Sequence, residues 1–126
     1  MTIDSLPADL AAFQHSYEEL FGVMPPLPAA KFDSIPDIDS EALRLAEQQR
    51  AHAFYSDVFD IKTTQLMLYG MLLFSRTPAV KFHALAAHQA GATRKELQKV
   101  GELAASAAAF GPMNNSGAVL KELRVS

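Results

Sequence analysis

One predicted helix, residues 61–75, is apolar on nearly every face, and it restricts the possible folds more than any other segment. Asp60 precedes it as a helix cap. A helix that is apolar all round must be buried all round, so this helix is predicted to be covered by other helices. Its longest apolar run, residues 66–74, has nine residues, less than half the length of a membrane-spanning helix. No membrane partner is therefore predicted.

The length of the chain makes this central helix an argument for association between copies. Its 126 residues suit a single domain, predicted over residues 1–126, that buries about two-thirds of its unfolded surface. A domain of that size has little material with which to surround a helix completely. Copies of the chain are therefore predicted to pack against it as a homo-oligomer.

Helix caps and helix breakers divide the rest of the chain. No stretch alternates apolar and polar residues and no Asn-Gly turn occurs, so an all-α helical bundle of about six helices is predicted. The segment 25–36 contains four prolines and is predicted to be an extended linker. Residues 1–39 would then hold an N-terminal helix and this linker, and residues 40–124 the core helices. Helices are predicted over 6–21 (capped by Ser5), 40–59 (capped by Asp39 or Ser40), 61–75, 78–90, 93–110 and 116–124.

Cysteine content and charge exclude several classes of function. The chain has no cysteine, which excludes disulfides, thiolate catalysis and zinc-thiolate sites in it. Residues 1–60 carry 11 acidic and 3 basic side chains, and residues 61–126 carry 3 and 8. The basic half can attract a small anion, or the two halves can neutralise each other within the fold or between subunits. The basic residues are scattered, so no nucleic-acid partner is predicted.

The N-terminus lacks the pattern of an export signal. Asp4 and Asp9 flank a short apolar run, and no basic segment precedes it, so a cytoplasmic location is predicted. No metal-binding His-Glu-x-x-His sequence, phosphate loop or nucleophile elbow occurs. No metal or other cofactor is predicted.

His83 is the strongest catalytic candidate. Ala79 and Val80 precede it by four and three residues, and Ala87 follows it by four, so all three share its face of the predicted helix. Small neighbours leave space over the imidazole, and partial burial lowers its pKa toward the range useful in proton transfer. The same position also suits a histidine that only packs in the core.

The order of motifs around His83 resembles that of the carboxymuconolactone decarboxylase family. In that family a histidine stands eight residues before the glycine of a helix junction that reads Gly-Ala-Thr-Arg-Glu-Glu. Here His83 precedes Gly91 by eight, and residues 91–96 read Gly-Ala-Thr-Arg-Lys-Glu. Residues 59–66 resemble the family's entry into the core helix, and residues 109–112 resemble its small-aromatic-Gly-Pro end. The resemblance covers about residues 40–123.

This resemblance implies an alkylhydroperoxidase D-like fold that assembles as a trimer or hexamer, with a pocket near the histidine and a subunit boundary. It also implies a lyase that decarboxylates a small, anionic, conjugated lactone or related acid without a cofactor. His83 would donate or accept the proton. Thiol-dependent relatives have cysteines at the places of Arg76 and Ala79, so thiol peroxidase activity is not expected.

Three further residues are predicted to contact the substrate. Arg76 can bind a substrate carboxylate, or it can be a solvated loop residue. Gln65 and Tyr69 are four residues apart and can present an amide and a phenol to one ligand, or they can serve packing alone.

Two departures from the family pattern leave the reaction open. Gln65 and Lys99 occupy places where the family commonly has glutamate. This difference makes isomerisation, cyclisation or dehydration of an enolisable molecule an alternative to decarboxylation. A non-catalytic binding or assembly protein is a third interpretation.

Overall fold

A computed structural model of the protein describes residues 6–125. It contains six α-helices and, within that range, no β-strand, which confirms the all-α prediction. The predicted cap at Ser5 lies outside the described residues. A short 3₁₀ helix, Leu123–Val125, ends the described chain. The helices are α1 (Ala8–Phe21), α2 (Pro26–Ser34), α3 (Pro36–Phe54), α4 (Ile61–Ser75), α5 (Val80–Gln89) and α6 (Arg94–Glu122).

The hydrophobic core lies between the N-terminal helices and α5. α1 packs against α3 and α5, and α2 packs against α3, whereas α4 packs against α5 and α6. The two N-terminal helices, α1 and α2, therefore contribute to the core and do not merely cover it. The buried core residues are Leu10, Tyr17, Leu20, Phe21, Phe32, Leu43 and Ala86.

The segment 26–36 is helical except for a turn at Ile35, so the predicted extended linker was wrong. Pro25 is extended and precedes α2, Pro26 and Pro28 lie in the first turn of α2, and Pro36 is the first residue of α3. The first backbone N–H groups of a helix have no acceptor within the helix. Prolines at these places therefore cost no hydrogen bond, and their fixed φ angle suits a helix start.

The third helix differs from the prediction at both ends. It begins at Pro36, bends at Asp39, where φ is −161° and ψ is 89°, and ends at Phe54. The carboxylate of Asp39 accepts a hydrogen bond from the Ala42 N–H at 3.1 Å, so it caps the longer part as predicted. Residues 55–59 are not helical. Ser56 accepts a hydrogen bond from the Val58 N–H at 3.0 Å, and a local bond of this kind competes with helix formation.

Two predicted helix starts are confirmed. Asp60 accepts a hydrogen bond from the Thr63 N–H at 2.7 Å, and Thr93 and Glu96 form the predicted capping box. α4 has the predicted bounds, and α5 starts at Val80, two residues later than predicted.

The two C-terminal helices predicted over 93–110 and 116–124 are one continuous helix. α6 passes through Gly111 and Pro112 and has 29 residues. An internal proline removes one backbone hydrogen bond and weakens a helix without forbidding it, so this Gly-Pro pair is not the predicted stop. Every residue from Ala105 to Arg124 is exposed.

Candidate active site

A cavity of about 410 Å³ lies where α1, α2, α3 and α5 meet. Its wall consists mainly of aromatic rings and prolines. Among residues 6–125 it includes two cationic side chains, Arg50 and Lys81, and no acidic one. Ligand pockets commonly have volumes of about 300–1,000 Å³ and combine an apolar wall with a few polar groups. The cavity therefore has the size and the charge to bind a small anion with an apolar body.

His83 lies on α5 and forms part of the cavity wall. It is 8% exposed, and its ring meets the rings of Phe21 and Phe54 edge to face, with centroids 5.3 and 5.9 Å away. Burial lowers the pKa of His83 below its usual 6.5, and the positive charge of Arg50 lowers it further. The imidazole is therefore neutral at pH 7, and the direction of the predicted pKa shift is confirmed.

A hydrogen bond to Gln65 determines where the imidazole carries its proton. His83 Nδ1 lies 2.7 Å from Gln65 Oε1. A carbonyl oxygen only accepts hydrogen bonds, so Nδ1 is the donor and Nε2 is the basic nitrogen. Nε2 has no hydrogen-bond partner among residues 6–125. Every fully buried side-chain nitrogen or oxygen in that range does have a partner. Nε2 is therefore not fully buried, and His83 lines the cavity.

Gln65 is placed to orient His83. It lies on α4, is 1% exposed and is not part of the cavity wall. Its amide oxygen accepts the hydrogen bond from Nδ1 and so fixes both the ring orientation and the tautomer of the histidine. In catalytic histidines, a hydrogen bond at one ring nitrogen sets the state of the other in the same way. Gln65 thus contacts His83, the predicted catalytic residue, and does not line the cavity.

Arg50 is held on the cavity wall by three residues. Its Nε donates to Glu47 Oε2 at 2.8 Å, and its Nη2 donates to Ser16 Oγ at 2.6 Å. The guanidinium carbon lies 3.8 Å from the centroid of the Tyr17 ring, where the planar cation is attracted to the ring face. Nη1 has one long contact, 3.4 Å to the hydroxyl of Tyr55. The guanidinium is therefore fixed in place, with Nη1 the least engaged nitrogen.

Glu47 is the buried carboxylate at the centre of this network. It is 1% exposed, accepts a hydrogen bond from the Tyr17 hydroxyl at 2.7 Å, and forms ion pairs with Lys31 and Arg50. Burial by itself would raise the pKa of Glu47, but the hydrogen bonds from Lys31, Tyr17 and Arg50 outweigh it and lower the pKa below 4.5. Burial and the hydrogen bond to Glu47 raise the pKa of Tyr17. Glu47 is therefore ionised at pH 7, and Tyr17 is neutral.

Two predicted substrate contacts lie away from the cavity. Tyr69 is partly buried on α4, and neither Tyr69 nor Arg76 belongs to the cavity wall. Arg76 ends α4 in the left-handed conformation, with φ of 58°, and its side chain is exposed. This backbone conformation ends many helices and is uncommon for residues other than glycine. A substrate contact by either residue stays a prediction.

The sequence patterns do not point to Tyr17, Glu47 or Arg50 as site residues. Tyr17 and Arg50 lie on helical stripes of otherwise apolar residues. A cation on such a stripe is buried only with a partner, and Glu47, three residues before Arg50, is within reach along a helix. The spacing of Glu47 and Arg50 is therefore the sequence feature that could indicate their buried ion pair. Lys81 has no comparable signal.

No protein-family model matches the chain, and no curated protein or solved structure matches it either.

In the part of the chain that the structure describes, no three His, Cys, Asp or Glu side chains are grouped so that they could hold a metal ion. None of the helices between residues 6 and 125 has both the length and the apolar character to cross a membrane.

Proposed function

We propose that the cavity is the active site of a cofactor-independent enzyme that moves a proton on a small carboxylated, conjugated molecule, with decarboxylation as its leading reaction. The observation that carries this proposal is that His83, whose Nε2 has no hydrogen-bond partner among residues 6–125, lines a cavity whose described wall holds two cations and no acid. The resemblance to the carboxymuconolactone decarboxylase family supports the same reaction. The chain has no cysteine, so thiol peroxidase chemistry is not part of the proposal. A cytoplasmic location is part of this proposal.

Each step of the decarboxylation has a residue that can perform it. The bond between carbon and the substrate carboxylate breaks, CO₂ leaves, and the electron pair spreads into the conjugated carbonyl system. Arg50 and Lys81 stabilise this negative charge, more strongly in an apolar cavity than in water. Protonated His83 then donates the proton on Nε2 to the carbon, and the ring takes another proton from solvent. General acid catalysis of this kind contributes about 10²–10⁴-fold.

Release of CO₂ from 4-carboxymuconolactone, followed together with the ultraviolet absorbance of the conjugated system, tests the proposal. We expect turnover by the wild-type protein without added metal or cofactor. If saturating substrate gives neither CO₂ nor an absorbance change, this substrate is rejected. An absorbance change without CO₂ would instead identify the second reaction, described next.

The lowered pKa of His83 favours a second reaction in the same cavity. A neutral imidazole is a base, so it can take a proton from a carbon next to a carbonyl group and return it elsewhere. That step serves isomerisation, cyclisation or dehydration of an enolisable molecule. Gln65 supplies no carboxylate that would raise the pKa of His83. Non-catalytic binding is the remaining alternative, and it predicts that ligands bind without turnover.

The pH dependence of kcat/KM distinguishes the two reactions. Decarboxylation uses protonated His83, so its rate should fall as the pH rises through the pKa of His83, which burial and Arg50 hold below 6.5. Isomerisation uses the neutral ring, so its rate should rise over the same interval and then stay level. Steady-state rates measured from about pH 5 to about pH 8 check the sign.

Gln65→Glu is the control for this pH profile. It places a carboxylate against Nδ1, which should raise the pKa of His83 by about one to three units. The pH interval over which kcat/KM changes should then move to higher pH for either reaction. If this interval does not move, the group that titrates is not His83.

We also propose that the chain forms a homo-oligomer, a trimer or hexamer by the family resemblance, through an apolar groove between α4 and α6. The groove is lined by Leu66, Met67, Gly70, Met71 and Phe74 of α4 and by Val100, Leu103, Ala104 and Ala107 of α6. Met71, Phe74 and Leu103 are all more than half exposed. An apolar surface of this extent commonly marks a contact with another protein, and a second copy would complete the covering of α4.

Met71→Glu is expected to dissociate this oligomer, because a carboxylate in the groove would be buried without a partner. Light scattering coupled to gel filtration should show the wild-type protein as an oligomer and Met71→Glu as a monomer. Leu45→Glu, which changes an exposed leucine on α3 outside the groove, should leave the mass unchanged. A wild-type protein that is monomeric at every concentration would contradict the proposal.

A further inference from the structure

We propose that Arg50 is the carboxylate anchor of the cavity and that the ligand it selects is a planar, conjugated carboxylate. This inference deepens the proposed function, and it rests on that function for the assignment of His83 to the reacting end of the ligand. The binding step itself follows from charge and geometry around Arg50. It can therefore be tested with a carboxylate that does not react.

The charges around Glu47 leave one positive charge without a partner. Lys31 and Arg50 both pair with the single carboxylate of Glu47, and no other carboxylate among residues 6–125 forms an ion pair with either of them. The Tyr17 hydroxyl is neutral and donates to the same carboxylate. Buried charge is costly unless it is paired. An anion that enters the cavity and binds Arg50 would balance the network.

Arg50 is better suited to this role than Lys81. Glu47 and Ser16 occupy its Nε and Nη2, and the face of the guanidinium lies on the ring of Tyr17. The group is therefore already held in one orientation, so little freedom is lost when a ligand binds. Nη1, with its single long contact, is the nitrogen left for a carboxylate. Lys81 is exposed, and it attracts anions from the rim of the cavity.

The wall around Arg50 favours a flat body on the ligand. Rings of Phe21, Phe54 and Phe82 line the cavity, and prolines form much of the rest. Aromatic faces and edges pack well against another ring, and neither rings nor prolines have flexible chains that must be ordered on binding. The ring of Phe54 borders both ends of the site, because Arg50 Cζ and the His83 ring lie 5.8 and 5.9 Å from its centroid. A ligand held by Arg50 thus extends along Phe54 toward His83.

Binding of 2-naphthoate, measured by titration calorimetry, tests this assignment, with 2-naphthamide as the neutral molecule of the same shape. We expect the amide to bind about tenfold or more weakly than the acid, because it cannot pair with the guanidinium. Arg50→Met should weaken naphthoate binding by about the same factor and leave the amide unaffected. Arg50→Lys keeps the charge and loses the planar geometry, so it should bind naphthoate with an intermediate affinity.

Arg44→Met is the matched control. Arg44 also lies on α3 and also pairs with carboxylates, Asp9 and Glu41, but it does not line the cavity. This variant should bind naphthoate as the wild-type protein does. Equal affinity for acid and amide, or equal losses in Arg44→Met and Arg50→Met, would overturn the assignment. The comparison of acid with amide decides the question in the wild-type protein even if Arg50→Met does not fold.

The imidazole of His83 provides a second readout that a merely structural arginine would not change. An anion bound nearby favours the protonated ring, so naphthoate should raise the pKa of His83, followed by NMR, in the wild-type protein but not in Arg50→Met. If naphthoate binds through Arg50 and no substrate is turned over, the anchor stands and the proposed catalysis fails. If turnover depends on His83 but Arg50→Met leaves it and naphthoate binding unchanged, proton transfer by His83 stands, whereas the anchor and the charge stabilisation by Arg50 both fail.

Discussion

Alanine in place of His83 is expected to lower kcat by about 10²–10⁴-fold, the contribution of a positioned general acid or base. Tyr17 and Arg50, which also line the cavity, cannot take over this role near pH 7. Burial raises the pKa of Tyr17, and the hydrogen bond of Arg50 to Glu47 outweighs burial and raises the pKa of the guanidinium, so both groups hold their protons. The release of CO₂, or the absorbance change in an isomerisation, measures the loss.

His83→Gln separates the chemistry of His83 from its packing. Alanine leaves the buried oxygen of Gln65 without a donor, at a cost of about 1–3 kcal/mol in stability. Glutamine can donate to that oxygen, so it should lose turnover to the same degree with less loss of stability. His52→Ala, which changes an exposed histidine on α3, should alter neither property. Turnover that persists in His83→Gln would rule out proton transfer by the histidine.

The starts of α4 and α6 could be predicted because their chemistry is local. The hydrogen bond from the Thr63 N–H to Asp60 and the reciprocal pair of Thr93 and Glu96 each join residues three apart. All the groups involved are visible in a short stretch of sequence. The same holds for the length of α4, whose cap and apolar run adjoin each other.

The prolines were harder to interpret, because the effect of a proline depends on its place within a helix. Pro26 and Pro28 precede the first position at which a missing N–H costs a hydrogen bond, so α2 forms. Pro112 lies deep inside α6 and does cost one, yet the helix continues. Composition alone does not distinguish these cases. Where each helix begins has to be known first.

The candidate site could be predicted only in part, because it depends on how helices face one another. The motif around His83 predicts that histidine as the catalytic residue, and Gln65, 18 residues earlier, is predicted as a substrate contact. The oxygen of Gln65 binds Nδ1 of His83 because α4 packs against α5. No short stretch of sequence shows how two helices pack. For the same reason Arg76, adjacent to α5 in sequence, is not on the cavity wall, whereas Arg50 is. Arg50, the proposed anchor, lies on α3, which contains none of the motifs around His83.

Glutamine in place of Glu47 is expected to lower the free energy of unfolding by about 3–5 kcal/mol, as the loss of one partner from a buried ion pair does. The substitution keeps the shape of the side chain and removes its charge. Lys31 and Arg50 would then lie together, partly buried, with no counter-charge. Urea unfolding followed by circular dichroism, at one fixed protein concentration because association adds to stability, measures the difference.

Glu41→Gln is the matched control, since Glu41 lies on the same helix and pairs with Arg44 at an exposed position. Exposed pairs contribute about 0–1 kcal/mol, so this variant should remain close to the wild-type stability. A similarly small effect of Glu47→Gln would mean that Lys31 and Arg50 are well solvated, and the argument for a missing anion would then lose its basis.

The effect of Glu47 on stability should also depend on pH, with a sign that its environment determines. The pKa of Glu47 lies below 4.5 in the folded chain, because the hydrogen bonds it accepts outweigh its burial. Its contribution is therefore complete above about pH 4.5 and is lost as the pH falls through the lowered pKa. The stability difference between the wild-type protein and Glu47→Gln should shrink over that interval. Glu47 also holds Arg50 on the cavity wall, so one buried carboxylate contributes both to the fold and to the geometry of the proposed ligand site.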